Sequence, residues 1–90
     1  MNRIIKYLKN MFGNDDPILG EIKLLPWEHE IEGYLICDGR TLEIEKHTAL
    51  YSLLGTVYGG DDKNFNIPVL PAVKGMSYAI CIDGRYPIRS

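Results

Sequence analysis

The chain has 90 residues, 46% of them hydrophobic, and a formal net charge of −2 at pH 7. That length is one domain with a small core, because short chains bury a smaller share of their surface. The slight acidity excludes a global basic field for nucleic acid, and no apolar run reaches the ~18 residues that span a bilayer.

Charge is unevenly placed. Arg3, Lys6 and Lys9 give the first thirteen residues +3, whereas the remainder carries −5. A basic leader on an acidic body predicts two parts with different partners, or copies that attract one another head to tail. In residues 2–12, Ile4, Ile5, Leu8, Met11 and Phe12 fall on one helical face, extended by Tyr7. Gly13 is the expected stop of this helix (residues 1–13), and residues 14–17 form a polar hinge ending in Pro17. So short a helix is marginal alone, so the stripe needs a dock. The docks considered are the chain's own body, another copy or protein, and an anionic membrane surface; a protein dock is favoured. The start lacks a long apolar segment and a small-residue cleavage site, and reads as part of the mature protein.

From Ile18 the texture is that of short strands. Ile18 to Leu25 reads as a strand closed by Pro26, and Tyr34 to Cys37 as a second that ends in the Asp38-Gly39 turn. Residues 45–54 carry a helical stripe of Ala49, Leu50, Leu53 and Leu54, with Gly55 just past its end. Residues 56–66 read as a loop centred on Gly59, Gly60, Asp61 and Asp62. Pro68 and Pro71 rule out a regular central strand. Residues 77–82 read as the last strand. The segment Tyr34 to Arg40 echoes Tyr78 to Arg85, which suggests either a pseudo-symmetric pair sharing a core or two ordinary strand-turn units.

Little of the chain reads as chemistry. The glycines of residues 55–61 follow a helix and lack the lysine-serine pair of a phosphate loop, so backbone geometry explains them. Asp62, Asn64 and Asn66 open like a calcium loop, but Ile67 stands where glycine is needed and Val73 where the bidentate glutamate belongs. Cys37 and Cys81 lie in apolar strand contexts and read as core thiols, not as a disulfide or a nucleophile. His29 and His47 have no ligand-spaced partner. The aromatic residues Trp27, Tyr34, Tyr51, Tyr58, Phe65, Tyr78 and Tyr86 suit a core and an interface alike. No catalytic, cofactor-binding or metal residue is assigned, and no cofactor is expected.

Taken in order, Gly20-Glu21-Ile22-Lys23, Gly33 to Arg40, Leu42 and Ile44, Ala49 to Gly55, Thr56 to Asp61 and Phe65-Asn66-Ile67-Pro68 resemble the phage tail collar domain. The final Tyr78 to Pro87 looks like that family's closing strand and tail. The resemblance covers residues 18–90. It implies an α+β fold, a compact collar of short strands around one central helix, to which the N-terminal amphipathic helix is added. It implies assembly, typically as a trimer, at a fibre or tail tip, and no known catalytic residues. In this light Gly39, Gly59 and Gly60 shape turns, Leu50 and Leu53 fill the core, and Phe65 and Pro68 lock the loop after the helix.

The chain departs from the family in places. Ile31-Glu32-Gly33-Tyr34 stands for the usual Pro-x-Gly-Trp, and Glu45 for a helix-capping serine. Val69 replaces an aspartate, and residues 69–77 cross a point where relatives carry a long insertion. Two functions follow as expectations. One is a non-catalytic structural module of a phage tail or tail-like particle that self-associates through the collar, as a virion protein. The other is a free intracellular adaptor that docks a protein or membrane through Ile4, Ile5, Leu8, Met11 and Phe12. Synthesis in the cytoplasm is expected for both, with a virion or tail-like particle as the destination of the first.

Overall fold

The computed structural model of the protein describes residues 17–87. Along them run β1 (Ile22–Leu25), β2 (Tyr34–Ile36), β3 (Thr41–Glu43), a 3₁₀ turn (Ile44–Lys46), α1 (Thr48–Leu54), β4 (Asn64–Asn66) and β5 (Ser77–Cys81). The predicted helix of residues 1–13, with Ile4, Ile5, Leu8, Met11 and Phe12, lies outside the described residues.

Strand β5 organises the body. Ser77, Ala79, Ile80 and Cys81 are all buried, so both of its faces are covered, as an apolar central strand requires. It lies between β1 and β2 in an antiparallel sheet of order β1-β5-β2. Ile22 stands opposite Ile80 on one side, and Leu35 opposite the same residue on the other. Side chains alternate along a strand, so Ile80 and Ala79 enter different cores. Ile80 joins Leu19, Cys37, Leu50, Phe65 and Ile67 between the sheet, α1 and the β3-β4 pair. Ala79 joins Leu25, Tyr34 and Cys81 on the other face, with Ile31 packed against them. Phe65 is the largest fully buried side chain, and burying one such ring contributes about 3 kcal/mol.

The body is a β-rich fold with two sheets and one α-helix among the described residues, which fits the α+β expectation. Its boundaries differ from the expected ones in three places. The first strand begins at Ile22, not Ile18, because Gly20 turns the chain at φ +85° and Ile18 bridges to Arg85 instead. The helix of 45–54 divides: His47 at φ −136°, ψ 47° interrupts it, and only Thr48–Leu54 is α-helical. Neither segment has a side-chain cap, in keeping with the missing serine. Residues 64–66, read as loop, are a strand paired with β3.

The echoed segments are neighbours, for β2 pairs with β5 as Tyr34↔Cys81 and Ile36↔Ala79. They do not share a core symmetrically. Cys37 enters the first cluster and Cys81 the second, so the two present opposite faces.

Candidate functional site

Three sequence blocks, 37–40, 58–61 and 65–68, converge on one junction beside the first core. Gly39 N–H donates to Pro68 O at 3.2 Å, Ile67 N–H to Arg40 O at 3.1 Å and Leu70 N–H to Cys37 O at 2.9 Å. Asn66 ties the third block to the other two. Its side-chain amide donates to Gly39 O at 3.2 Å, and its main-chain N–H donates to Gly59 O at 3.0 Å. Phe65 is fully buried under this junction and its ring lies 5.4 Å from that of Tyr51. Pro68 is buried as well.

Gly60 has the least freedom to change. It sits at φ +136°, and a Cβ there would strike Asn64 O and come within 2.7 Å of Phe65 Cα. Both are main-chain atoms that cannot step aside. The approach is close because Gly60 and Phe65 form a bridge and Asp61 N–H donates to Asn64 O at 2.8 Å. Asp61 then folds back: its Oδ1 accepts from Lys63 N–H at 2.8 Å and Asn64 N–H at 2.9 Å. Those two donors hold its carboxyl below the ordinary range. Asp61 is therefore engaged in shaping a loop, and Asn64 and Asn66 lie on a strand, where the calcium-loop spacing has no meaning.

Leu50 and Leu53 separate. Leu50 is 1% exposed, whereas Leu53, expected to fill the core with it, is 37% exposed. Helical spacing of three turns the two by about 300°, and a helix of only seven residues beside a small core has room to bury one of them fully.

A second cluster, missed from sequence, stands at the outer edge of β2. Arg40 Nη2 donates to Glu30 Oε2 and, at 2.9 Å, to Asp38 Oδ2. Glu30 Oε2 also accepts the Ile36 main-chain N–H at 3.0 Å. The Arg40 guanidinium holds the Asp38 carboxyl below its ordinary range. The signal was present as Glu28-His29-Glu30, but nothing local links a loop carboxylate to an arginine ten residues on.

The remaining reactive groups stay apart. Cys37 and Cys81 are buried free thiols. Burial, with the Asp38 charge second, pushes Cys37 up to about 11, and burial also raises Cys81. His29 stacks on Trp27 at 5.5 Å, whereas His47 lies at the break before α1. A surface depression lined by Glu43, Ile44, Glu45, Asp62, Lys63 and Asn64 brings no nucleophile or histidine to its carboxylates. Among the described residues no three His, Cys, Asp or Glu side chains gather as a metal site. No described helix is long and apolar enough to cross a membrane.

The junction is thus a set of satisfied main-chain and side-chain bonds around glycine turns, and its blocks follow one another in a family order. The profile of the phage tail collar domain matches residues 20–72. The chain belongs to the phage tail collar domain family. No curated protein and no solved structure matches it. The collar family is a structural one associated with phage tails, and the junction lies within the matched segment. The match ends before β5, yet β5 is the strand that joins β1 to β2. The sheet that holds β1 and β2 is therefore completed by residues beyond the matched segment.

Proposed function

We propose that the chain is a non-catalytic structural module of a phage tail or tail-like particle, and that it works by associating with further copies of itself through the collar. The observation that carries this reading is the junction. The residues of the junction, all inside the matched segment, satisfy one another, and the body carries exposed apolar side chains such as Ile22, Leu24 and Val69. A threefold arrangement is the one the family resemblance favours. The segment 1–13 supplies a second contact, in which Ile4, Ile5, Leu8, Met11 and Phe12 dock on a neighbouring tail protein.

The charge imbalance along the chain favours one further reading. A +3 leader on a −5 remainder suits a free intracellular adaptor whose first thirteen residues dock a protein or an anionic surface. Light scattering on the full chain and on Leu8→Asp separates the two. An assembly of several copies that survives Leu8→Asp supports the structural module. A monomer, or an assembly lost in Leu8→Asp while the circular dichroism of the body is unchanged, supports the adaptor.

A further inference from the structure

The outer strand edges of the body are finished differently. On β4, Asn66 N–H is taken by Gly59 O and Asn64 O by Asp61 N–H, so the glycine loop fills that edge. On β2, Tyr34 N–H donates to Ile31 O and Ile36 N–H to Glu30, which Arg40 clamps. The edge of β3 presents the polar Thr41 and Glu43, both exposed. Strand β1 is different. Cys81 N–H donates to Glu21 O at 2.8 Å while Cys81 O accepts from Gly20 N–H at 2.9 Å, so the Glu21 carbonyl faces β5. By antiparallel alternation Lys23 and Leu25 also turn their main-chain groups toward β5, and Ile22 and Leu24 turn theirs outward. No described residue pairs with them there. Their side chains are 41% and 47% exposed. An open, apolar edge is a template for another strand.

We propose that the free edge of β1 binds β1 of a second copy of this chain, antiparallel across a twofold axis, with Ile22 opposite Ile22 of the second copy. This rests on the reading that copies associate, and it names the contact. Charge selects the register. With Ile22 on the axis, Lys23 of each copy faces Glu21 of the other, giving two opposite-charge pairs. Shifting by one places Lys23 against Lys23, and shifting by two places Pro26, which has no N–H, against Ile22. The chosen register also sets Leu24 over Gly20 of the second copy. There Leu24 meets Leu53, whose Cδ1 lies 3.4 Å from the Gly20 Cβ position. Ile22, Leu24 and Leu53, three exposed apolar side chains, are covered together. The two three-stranded sheets become one of six strands. A twofold contact joins copies in pairs, so it adds to a threefold contact and does not replace it.

Cross-linking of full-length variants under mild oxidation tests the proposal. Residues opposite one another in a hydrogen-bonded pair have Cα atoms about 5.5 Å apart, within disulfide range. Ile22→Cys is expected to give a covalent pair on a non-reducing gel. Leu24→Cys, whose twofold mate lies about 13 Å away at four residues' offset, is not. Lys23→Glu is expected to weaken pairing about tenfold, and adding Glu21→Lys to restore it. A chain that scatters as several copies while Ile22→Cys stays uncross-linked overturns the β1 contact and leaves self-association standing. A chain that is single at every concentration overturns both. Equal cross-linking at Leu24→Cys overturns the register.

Discussion

Three glycine substitutions separate two costs that are usually confounded. Gly75 sits at φ +78° with open space where a Cβ would lie, so Gly75→Ala carries only the backbone penalty. Gly84 needs no positive φ, but a Cβ there would come within 2.7 Å of Pro17 O and 2.8 Å of Cys81 Sγ. Gly60 combines φ +136° with collision against main-chain atoms of Asn64 and Phe65. The backbone penalty alone is about 1 kcal/mol. Forcing the Gly60 loop off Phe65 adds strain and loosens the Asp61–Asn64 hydrogen bond, for a total of about 3 kcal/mol. In a domain of this size about 1 kcal/mol moves the melting temperature by about 4–8 °C. Gly75→Ala is therefore expected to melt about 4–8 °C lower, and Gly60→Ala about 12–24 °C lower. Gly84→Ala falls between them, because the Cys81 side chain can yield and Pro17 O cannot. Thermal melts by circular dichroism at one pH read all three. Equal losses for Gly60→Ala and Gly75→Ala would refute the claim that close main-chain approach fixes Gly60.

Two further outcomes follow from the titrating groups. Cys37 and Cys81 are expected to react with a thiol reagent at pH 8 only as the protein unfolds, and a reductant is expected to leave the melting temperature unchanged; one equivalent of rapidly reacting thiol in the folded protein counts against their burial. Asp38 has a folded pKa below its ordinary 3.8, so its stabilising contribution is present above about pH 4 and is lost as pH falls through the lowered value. Its side chain is 47% exposed, which keeps the effect under about 1 kcal/mol. The difference between urea midpoints at pH 6 and below pH 3 is expected to shrink in Arg40→Ala, with the share due to Asp61 remaining, and an unchanged pH dependence in that variant would contradict the assigned pairing.

The legible parts of the fold were those with a strong local signal. The continuous apolar run Tyr78-Ala79-Ile80-Cys81 and the Asp38-Gly39 turn located strands and turns without tertiary information. The β3-β4 pair escaped because each strand has three residues and only Leu42 and Phe65 point inward, flanked by Thr41, Glu43, Asn64 and Asn66. A single apolar residue between polar ones carries no period. Helix 45–54 was overextended at its start, where Glu45, Lys46 and His47 carry none of the apolar stripe and the backbone breaks at His47. At the junction, the importance of Gly60 and Phe65 was readable from the motif order, but their mutual contact was not. The clamp of Arg40 on Glu30 and Asp38 and the open edge of β1 depend on which strands become neighbours. Local sequence does not encode that.

The link between the matched segment and the closing strand bears on how the family varies. Residues 69–77 cross the point where the resemblance places a long insertion in relatives. Here the chain turns through Lys74 and Gly75, at φ 39° and 78°, with Val73 and Met76 exchanging main-chain hydrogen bonds of 3.1 and 2.9 Å. Two consecutive positive φ values define a tight hairpin turn whose tip is exposed. Its ends are already adjacent, so added residues have to close only a loop. Lengthening that loop from about 2 to about 16 residues is three doublings, at about 0.6 kcal/mol each, or roughly 2 kcal/mol. A flexible Gly/Ser segment of that length between Lys74 and Gly75 is expected to leave the body folded, melting about 8–16 °C lower. The same segment between Gly60 and Asp61 would separate Gly60 from the Asp61–Asn64 clasp and expose Phe65, and is expected to abolish the cooperative melt. If both insertions unfold the protein, the Lys74-Gly75 turn is needed to deliver β5 between its neighbours. If both are tolerated, the junction around Phe65 does not hold the collar together.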